Sequence, residues 1–359
     1  MREGLQMKRT KHIRRVLFTL LIFGFVTFTG CSSKHTDSFL HEGMGYIEDM
    51  DYQSALTAFL AAEKNSEDAK LIERGLGIAY MGLTNYEKAI ECFLQSMALS
   101  DGIVEEVDYD INYYLAAAYQ KTGNYSEAEK IYSAILAMRP NDTDAYYLRG
   151  NTRLSQDKYD TAKEDFDQTI SLEPYNFQRL IEIYEVLSSN GYEEMGEDYL
   201  KTALEKREEK MTALDKGKIH YYLGDYEKAQ VLLEDAKSTK EADAFLYLGM
   251  AYEATGDYNY AIINVYNTYL EISDGDPQIY NQLGLCYMKQ EDYVSALSAF
   301  QSAMQIADND MIQTLQFNEI VAYEYLGEYT KASVLLDHYI KLYPDDEMAK
   351  REYGFLSTR

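Results

Sequence analysis

The sequence predicts an all-α protein made of stacked helix pairs, an α-solenoid, because one short pattern recurs along nearly the whole chain. A tyrosine follows a polar residue or glycine, a small residue usually stands three positions later, and an apolar residue stands four positions after that. Examples are NYEKAIECF at 85–93 and DYVSALSAF at 292–300. The repeat tyrosines are Tyr52, Tyr86, Tyr125, Tyr159, Tyr192, Tyr226, Tyr258, Tyr293 and Tyr329. Their spacing centres on about 34 residues, and a period of this size predicts a helical repeat array.

Each pattern marks the second helix of a predicted pair. A first helix precedes it, on which a small residue and an aromatic residue three positions later share one face. These pairs are Gly43/Tyr46, Gly77/Tyr80, Ala116/Tyr119, Gly249/Tyr252 and Gly284/Tyr287. The small residue after the repeat tyrosine lets the two helices approach closely. It is found as Ala55, Ala89, Ala128, Ala162, Ala229, Ala261, Ala296 and Ala332. We predict that all these residues form the core.

The four prolines fall at repeat boundaries. Pro140, Pro174 and Pro344 each lie at the same distance after the preceding repeat tyrosine, where the second helix must stop. Pro277 lies four positions further from its repeat tyrosine, Tyr258, which predicts a four-residue insertion in the seventh repeat.

This pattern resembles the tetratricopeptide repeat over about residues 36–346. The resemblance implies a right-handed solenoid of about nine helix-turn-helix repeats, near 36–69, 70–103, 109–142, 143–175, 176–209, 210–241, 242–276, 277–310 and 313–346. Residues 347–359 are predicted to form a capping helix with a polar outer face. The fifth repeat is the weakest. The departures from the pattern are Ile183 and Ile320 for the small residue, Arg153, Val186 and His220 for the aromatic one, and Met195 for the alanine.

Residues 1–30 predict an export signal, because a basic stretch precedes the apolar run 16–30. Cys31 follows directly, and the segment resembles the signal of bacterial lipoproteins, in which this cysteine carries the lipid. The resemblance implies palmitate or a similar chain on Cys31, a tether over 31–35, and a location on the outer face of the bacterial plasma membrane. An uncleaved anchor or an ordinary secretory signal are the alternatives. Either Met1 or Met7 is the start.

Charge and motifs exclude several functions. The chain has 34 basic and 60 acidic residues, a net charge of −26, which disfavours nucleic acid as a partner. We find no phosphate-binding loop, no paired-histidine zinc motif and no catalytic constellation, and we predict no enzyme, no cofactor and no metal. The acidic turns Asp274–Asp276, Asp308–Asp310 and Asp345–Glu347 predict helix caps, with calcium as the open alternative. Cys92 and Cys286 are predicted to be buried thiols too far apart for a disulfide.

In the tetratricopeptide repeat the first helices line a concave groove, so the resemblance places a partner site there. The predicted partner-binding residues are Met44, Arg74, Met81, Tyr113, Tyr147, Asn151, Tyr184, Tyr221, Met250, Asn281 and Met288. Tyrosine and methionine offer large, adaptable contact area for a peptide. These features predict a membrane-anchored, non-catalytic scaffold for a protein or peptide of unknown identity. The alternative is a lipoprotein that binds a solute or glycan.

Overall fold

A computed structural model describes residues 38–273, 275–307, 309–344 and 346–356, and the regular elements in these ranges are helices alone. The predicted all-α fold is confirmed. The predicted signal, Cys31 and the tether lie outside the described residues. The first helices of the pairs are α1 (Phe39–Glu48), α3 (Ala69–Gly82), α5 (Glu106–Lys121), α7 (Thr143–Leu154), α9 (Phe177–Ser189), α11 (Ala213–Tyr222), α13 (Ala242–Ala254), α16 (Pro277–Lys289) and α18 (Ile312–Tyr325).

The second helices alternate with these along the chain. They are α2 (Tyr52–Lys64), α4 (Tyr86–Ala98), α6 (Tyr125–Met138), α8 (Tyr159–Leu172), α10 (Glu193–Arg207), α12 (Tyr226–Ala236), α17 (Tyr293–Ala303) and α19 (Tyr329–Leu342). In the seventh pair α14 (Tyr258–Tyr260), the π-helix Ala261–Tyr266 and α15 (Asn267–Leu270) follow one another, and α20 (Glu347–Leu356) comes last. The described residues form two compact units, 38–173 with 185–196, and 174–184 with 197–356.

One turn design connects the helices of each pair. In the eighth pair Glu291 adopts a φ of 62°, and the next residue, Asp292, donates its N–H to the carbonyl of Tyr287 at 3.0 Å. This closes α16 in a Schellman motif. The side chain of Asp292 then accepts from the N–H of Ser295 at 3.1 Å, so the same residue caps α17. The left-handed turn residues of the nine pairs are Met50, Thr84, Gly123, Asp157, Gly191, Gly224, Gly256, Glu291 and Gly327.

Most pairs are held together by a side chain of the second helix that packs onto a small residue of the first. A Cβ placed on Gly77 would lie 2.4 Å from the ring of Phe93, and one on Gly284 would lie 2.4 Å from Phe300. The alanines predicted to allow close approach are all fully buried. The prediction that these small residues form the core is confirmed. The tyrosines paired with them are only partly buried and pack against the edge of the core, namely Tyr46, Tyr80, Tyr119, Tyr252 and Tyr287.

The fifth repeat is offset by one residue from the prediction. Its left-handed turn residue is Gly191, directly before Tyr192, because glycine adopts a positive φ without a Cβ clash. Tyr192 therefore takes the capping position and donates its N–H to the carbonyl of Leu187 at 2.9 Å. The buried small residue is Gly196 and not Met195, and Leu187 stands in the place predicted for Val186.

The seventh repeat contains an inserted residue inside its second helix. The π-helix Ala261–Tyr266 adds one residue to the turn relative to an α-helix. Consequently Tyr266, eight positions after Tyr258, packs onto Gly249, where the pattern predicts Val265. The four-residue insertion indicated by Pro277 is thus divided between this helix and the turn that follows it.

The last helix, α20, differs from the predicted cap. Ala349 and Leu356 are buried against the cluster formed with α18 and α19, but Met348, Tyr353 and Phe355 are 59 %, 45 % and 39 % exposed. The exposed face of α20 is therefore mixed, because the charged Lys350 and Arg351 are exposed beside these apolar side chains.

Candidate partner-binding surface

The first helices carry the residues predicted to bind a partner, and the structure divides these residues into two groups. Tyr113, Tyr147, Tyr184, Met250 and Asn281 are buried, with 4–8 % of their surface exposed. Six keep more exposed surface, and they are Met44, Arg74, Met81, Asn151, Tyr221 and Met288. The binding role of both groups stays a prediction, and the second group offers more area to a partner.

In the first compact unit Arg74 joins three neighbouring first helices. Its Nε donates to Asp110 Oδ2 of α5 at 2.5 Å, and its Nη1 lies 3.8 Å from the Met44 sulfur of α1. The guanidinium carbon lies 6.0 Å from the centre of the Tyr114 ring. Arg74 is therefore held by an acid, a thioether and a ring, a setting that fixes its side chain on this face.

Tyr113 and Tyr147 have packing partners on the same compact unit. The Tyr113 hydroxyl donates to Asp142 Oδ1 at 2.6 Å. Burial is the main cause, and the contact with Asp142 the second, that raises the pKa of Tyr113 far above its ordinary value. The Tyr147 ring lies 6.3 Å from that of Phe166. Both side chains thus stabilise the contact between neighbouring helices.

The second compact unit carries a dense group that we name the tyrosine–lysine cluster, formed by Tyr184, Lys218, Tyr221, Tyr222 and Tyr247. The Tyr222 ring lies 5.3 Å from Tyr184, 5.5 Å from Tyr221 and 5.9 Å from Tyr247. The hydroxyls of Tyr222 and Tyr247 are 3.0 Å apart and share a hydrogen bond. The cluster joins α9, α11 and α13 and brings the predicted Tyr184 and Tyr221 together.

Lys218 fixes the polar side of this cluster. Its Nζ donates to Gln178 Oε1 at 2.7 Å and to Asp243 Oδ2 at 2.6 Å, and it lies 4.9 Å from the centre of the Tyr247 ring. Lys218 itself is buried, whereas about half of the Asp243 side chain is exposed. The buried charge is therefore paired, and a carboxylate edge remains on the surface next to the tyrosines.

Further along the same unit, Asn281 is joined to the next first helix. Asn318 Nδ2 donates to Asn281 Oδ1 at 2.8 Å. Met250 is buried in the core around α13, and Met288 packs against the core around α18 and α19. The amide pair and these methionines continue the mixed polar and apolar face beyond the tyrosine–lysine cluster.

Three members of the tyrosine–lysine cluster were not predicted from the sequence, namely Lys218, Tyr222 and Tyr247. A signal for two of them exists, because Lys218 and Tyr222 are four positions apart and share one face of α11. Tyr247 carries no comparable signal, since its contact with Tyr222 depends on how α13 packs beside α11.

A cavity of about 550 Å³ lies on the first compact unit, lined by Tyr146, Arg149, Arg153, Glu164, Asp165, Asp167 and Gln168. Its arginines are already paired, because both bind Asp165 and Arg153 also binds Glu129 at 2.9 Å. Burial works to raise the pKa of Glu129, but hydrogen bonds from Lys158 and Arg153 outweigh it and lower that pKa to about 2. This internal neutralisation makes the cavity a poor site for an anion.

The described residues show how the candidate metal-binding side chains, the acidic turns and the cysteines are placed. In the described ranges no three His, Cys, Asp or Glu side chains are grouped to hold a metal ion. Asp276 and Asp346 cap α16 and α20, as predicted, whereas Asp274, Asp308 and Asp345 lie outside the described residues. Cys286 is buried and Cys92 partly buried, and burial raises the pKa of the Cys92 thiol to about 12. No helix in the described part of the chain has both the length and the apolar character needed to cross a membrane.

Similar proteins carry the same kind of repeat. The chain is 25 % identical over 261 residues to the TPR repeat-containing protein MJ1428 of Methanocaldococcus jannaschii, which covers 72 % of this chain and 42 % of that protein. It is 24 % identical over 205 residues to human RNA polymerase II-associated protein 3, covering 51 % of this chain and 30 % of the relative. The chain therefore spans less than half the length of these curated relatives.

Among solved structures, a tetratricopeptide repeat protein from Parabacteroides merdae aligns with a TM-score of 0.44 at 14 % identity, over 79 % of this chain and 97 % of that one. MamA aligns with a TM-score of 0.39 at 24 % identity, over 49 % of this chain and 98 % of that one.

Family models described as tetratricopeptide repeat match residues 75–101, 104–151, 143–176, 214–277 and 277–310. These matches span more than half of the 359 residues and coincide with the helix pairs described above. The chain belongs to the tetratricopeptide repeat family.

Proposed function

We propose that this protein is a non-catalytic adaptor that binds a protein or peptide on its first helices and is held by a lipid on Cys31 at the outer face of a bacterial plasma membrane. The tyrosine–lysine cluster is the observation that supports binding most strongly. It brings four tyrosines and a paired lysine of α9, α11 and α13 into contact, in a family of protein-interaction scaffolds.

The contacts within the cluster favour binding for an energetic reason. A side chain that is already fixed by its neighbours loses little rotamer entropy when a partner arrives, and ordering such a side chain otherwise costs about 0.5–1.5 kcal/mol. Tyr222 and Tyr247 fix each other through their hydroxyls, and Lys218 is held by two acceptors. Tyrosine is also enriched among the residues that dominate binding energy at interfaces.

The start of α1 sets how far the proposed anchor lies from the first repeat. Glu67 accepts hydrogen bonds from the N–H groups of Phe39 and Leu40 and from the Ser38 hydroxyl, at 2.9–3.1 Å. The chain is therefore fixed in place from Ser38 onward. A fully extended chain from Cys31 to Ser38 spans about 25 Å at most, so a lipid on Cys31 would keep the first repeat close to the membrane.

Affinity purification tests the adaptor proposal. The full chain is used to retain proteins from solubilised envelope at about 50 mM and about 200 mM salt, with mass spectrometry as the readout. We expect the same small set of proteins at both salts, because contacts in the tyrosine–lysine cluster are mainly apolar and hydrogen-bonded. Retention at low salt only would indicate charge attraction by an acidic chain and would contradict the proposal.

Two bait variants sharpen this test. Tyr221→Ser removes an aromatic ring of the cluster, whereas Val231→Ser changes a residue that is 72 % exposed on the second helix α12. We expect the first substitution to reduce retention of the partner and the second to leave it unchanged, with circular dichroism confirming that both variants are folded. If both variants retained the partner equally, the tyrosine–lysine cluster would not be part of the binding surface.

Membrane fractionation tests the anchor. Cys31→Ala should move the protein from the membrane fraction to the soluble fraction, because the acyl chains are lost. Cys92→Ala is the matched control, since it removes another thiol within α4. Membrane association that survives Cys31→Ala would contradict the lipid anchor.

A further inference from the structure

We propose that the first compact unit contacts the lipid bilayer directly at the edge where α1 begins, through the exposed side chains Leu99, Ile103, Val104 and Met138. This edge, which we name the anchor edge, comprises the starts of α1, α3 and α5 and the ends of α2, α4 and α6, with the turns that join them. The inference rests on the lipid anchor proposed for Cys31 and does not depend on the tyrosine–lysine cluster.

Hydrogen bonds join the first two repeats along this edge. The Ser38 hydroxyl, at the cap of α1, donates to Glu67 Oε2 in the turn between α2 and α3 at 2.9 Å. The Ser96 hydroxyl, near the end of α4, donates to the carbonyl of Lys70, near the start of α3, at 2.7 Å. The cap of α1, to which the predicted tether leads, therefore lies at the same edge as the end of α4.

Ion pairs extend the anchor edge into the third repeat. Lys70 Nζ, at the start of α3, lies 2.7 Å from Asp108 Oδ1 in the first turn of α5. Glu106, the first residue of α5, pairs with Arg139, the residue that follows α6. The turn before α5 and the end of α6 therefore lie at the anchor edge, together with the start of α1.

Large apolar side chains are exposed at the anchor edge. The turn between α4 and α5 spans residues 99–105, whereas the turns between α2 and α3 and between α6 and α7 are shorter. In this turn Ile103 and Val104 are 68 % and 55 % exposed, and Leu99 at its start is 50 % exposed. Met138, at the end of α6, is 64 % exposed. An exposed apolar patch rimmed by polar residues marks an interaction surface.

The opposite edge of the same unit, where the two helices of each pair are joined, exposes less apolar surface. Its large apolar side chains Met50 and Leu83 are 39 % and 38 % exposed. Leu83 caps the end of α3 as Leu99 caps the end of α4, so these two leucines occupy equivalent places at opposite edges. Apolar exposure is therefore greater on the side from which the proposed anchor extends.

A bilayer is the occupant that these observations favour. A lipid on Cys31 would lie within about 25 Å of Ser38, the reach of the extended chain between them, so the anchor edge is the part of this unit held nearest the membrane. Burial of apolar side chains is non-directional and needs no shaped pocket, which suits Ile103 and Val104, because they stand in a turn and not in a groove. Confinement by the anchor also raises the effective concentration, so that contact by a few side chains is sufficient.

The acids beside this turn are engaged by other groups. Lys70 Nζ lies 3.7 Å from Glu105, and Arg139 pairs with Glu106. The Asp101 carboxylate accepts a backbone N–H within the turn at 2.9 Å. Pairing reduces the repulsion between these acids and anionic lipid headgroups, which a free acidic turn would experience in full.

Tryptophan fluorescence tests this contact, because the chain contains no tryptophan of its own. The lipid-bearing full chain with Ile103→Trp is reconstituted into phosphatidylcholine vesicles with and without brominated acyl chains, which quench a tryptophan that reaches them. Leu83→Trp, at the opposite edge, is the matched control. We expect brominated lipid to quench Ile103→Trp at least about threefold more strongly than Leu83→Trp, because the Ile103 side chain enters the apolar layer.

A second reporter shows whether the turn causes the contact. Met138→Trp should also be quenched by brominated lipid. Its quenching should fall at least about threefold when Ile103→Asp and Val104→Asp are added, because two charged side chains would have to leave water. Circular dichroism confirms that the variant is folded. Quenching of Met138→Trp that is unchanged by the two aspartates would overturn the inference.

Co-sedimentation with the vesicles separates this inference from the proposed anchor. If the protein sediments and Ile103→Trp is quenched no more than Leu83→Trp, the bilayer contact is overturned and the anchor stands. If the protein does not sediment, both are overturned, since the contact rests on the anchor. A concentration-dependent blue shift of Ile103→Trp without vesicles would show that a second copy covers the turn, and it would also overturn the inference.

Discussion

At the scale of single residues, the fold depends on glycines of the first helices, because an aromatic ring of the second helix fills the space that a larger side chain would need. Gly284 leaves room for Phe300, which is 1 % exposed and has no space to withdraw. In the ninth repeat Ile320 occupies the small position, and Leu336, which is smaller than the phenylalanine of the eighth repeat, is buried in the same cluster. The contact between the two helices of a pair is therefore a matter of matched volumes.

Gly284→Ala should lower the unfolding midpoint, because its Cβ would lie 2.4 Å from the Phe300 ring, and overpacking of this kind costs about 1–3 kcal/mol. Gly45→Ala should raise the midpoint slightly, since its Cβ has space and alanine favours a helix by about 0.5–1 kcal/mol over glycine. Urea unfolding followed by circular dichroism measures both. If both substitutions raised the midpoint, the claim that Phe300 leaves no space for a side chain at Gly284 would be wrong.

A partly buried acid in the seventh repeat links stability to pH. Burial raises the pKa of Glu253 to about 7, although the Tyr266 hydroxyl, Cys286 and Lys289 act in the opposite direction. The unfolded chain binds this proton with an ordinary pKa near 4.5, so between about pH 4.5 and pH 7 the folded state holds more protons. This contribution to stability is therefore complete below about pH 4.5 and is lost as the pH rises to about 7.

Glu253→Gln should reduce the fall in the unfolding midpoint between pH 5 and pH 8, because the amide keeps polar contacts with Tyr266 and does not titrate. Glu91→Gln, on the exposed side of α4, is the control for loss of one negative charge. Thermal unfolding of the three proteins at several pH values measures the effect. Parallel curves for the wild type and Glu253→Gln would show that Glu253 is not the titrating group.

At the scale of helices, most boundaries follow from local chemistry that the sequence displays. The residue before each repeat tyrosine is usually Asp or Asn, and Asp51, Asp257 and Asp292 all cap the next helix with their side chains. In the fifth repeat the second helix begins one residue later than predicted. The sequence permits both registers, because Gly191 fits either the capping position or the turn position before it. Only the turn geometry, in which Gly191 takes the positive φ, distinguishes them.

The π-helix was not predicted, although its consequence appears in the sequence. The pattern predicts the packing residue at Val265, whereas the aromatic residue stands one position later at Tyr266. A one-residue insertion is absorbed either by a wider turn or by a longer loop, and periodicity alone does not choose between them. The need to bring a large ring over Gly249 explains the wider turn.

Deletion of Ile263 should therefore be tolerated, because the π-helix would become an α-helix with Tyr266 still over Gly249. Ile263 is exposed, so little packing is lost. Deletion of the exposed Ser298 in α17 is the control, and it should lower the thermal midpoint strongly because Phe300 would turn away from Gly284. Equal losses from the two deletions would contradict this explanation of the π-helix.

At the scale of the whole molecule, the regular repeat period was sufficient to predict the fold class, because each helix pair packs mainly on its neighbours. The candidate surface was less predictable. Arg74 and Met44 were identified and do lie together, yet Lys218 and Tyr247 were missed because their contacts with α9 and α11 depend on packing between repeats. Burial of Tyr113 and Tyr147 likewise depends on neighbours that a single repeat does not reveal.

The net charge of −26 should make the fold sensitive to salt. Raising the ionic strength from about 10 mM to about 150 mM shortens the screening length from about 30 Å to about 8 Å and weakens repulsion among the acids. We expect the thermal midpoint to rise over this range. A fall would mean that surface ion pairs such as Lys158–Glu129 contribute more than the repulsion does.

Site-specific photo-crosslinking in cells tests the central claim, that partners bind on the first helices, most directly. A photoreactive residue replaces Met44 or Met288 on first helices, and Val231 or Val334 on the exposed surface of second helices. The account predicts that the first two positions each capture discrete partner proteins and that the last two do not. Capture of those proteins from Val231 and Val334, with none from Met44 or Met288, would contradict it.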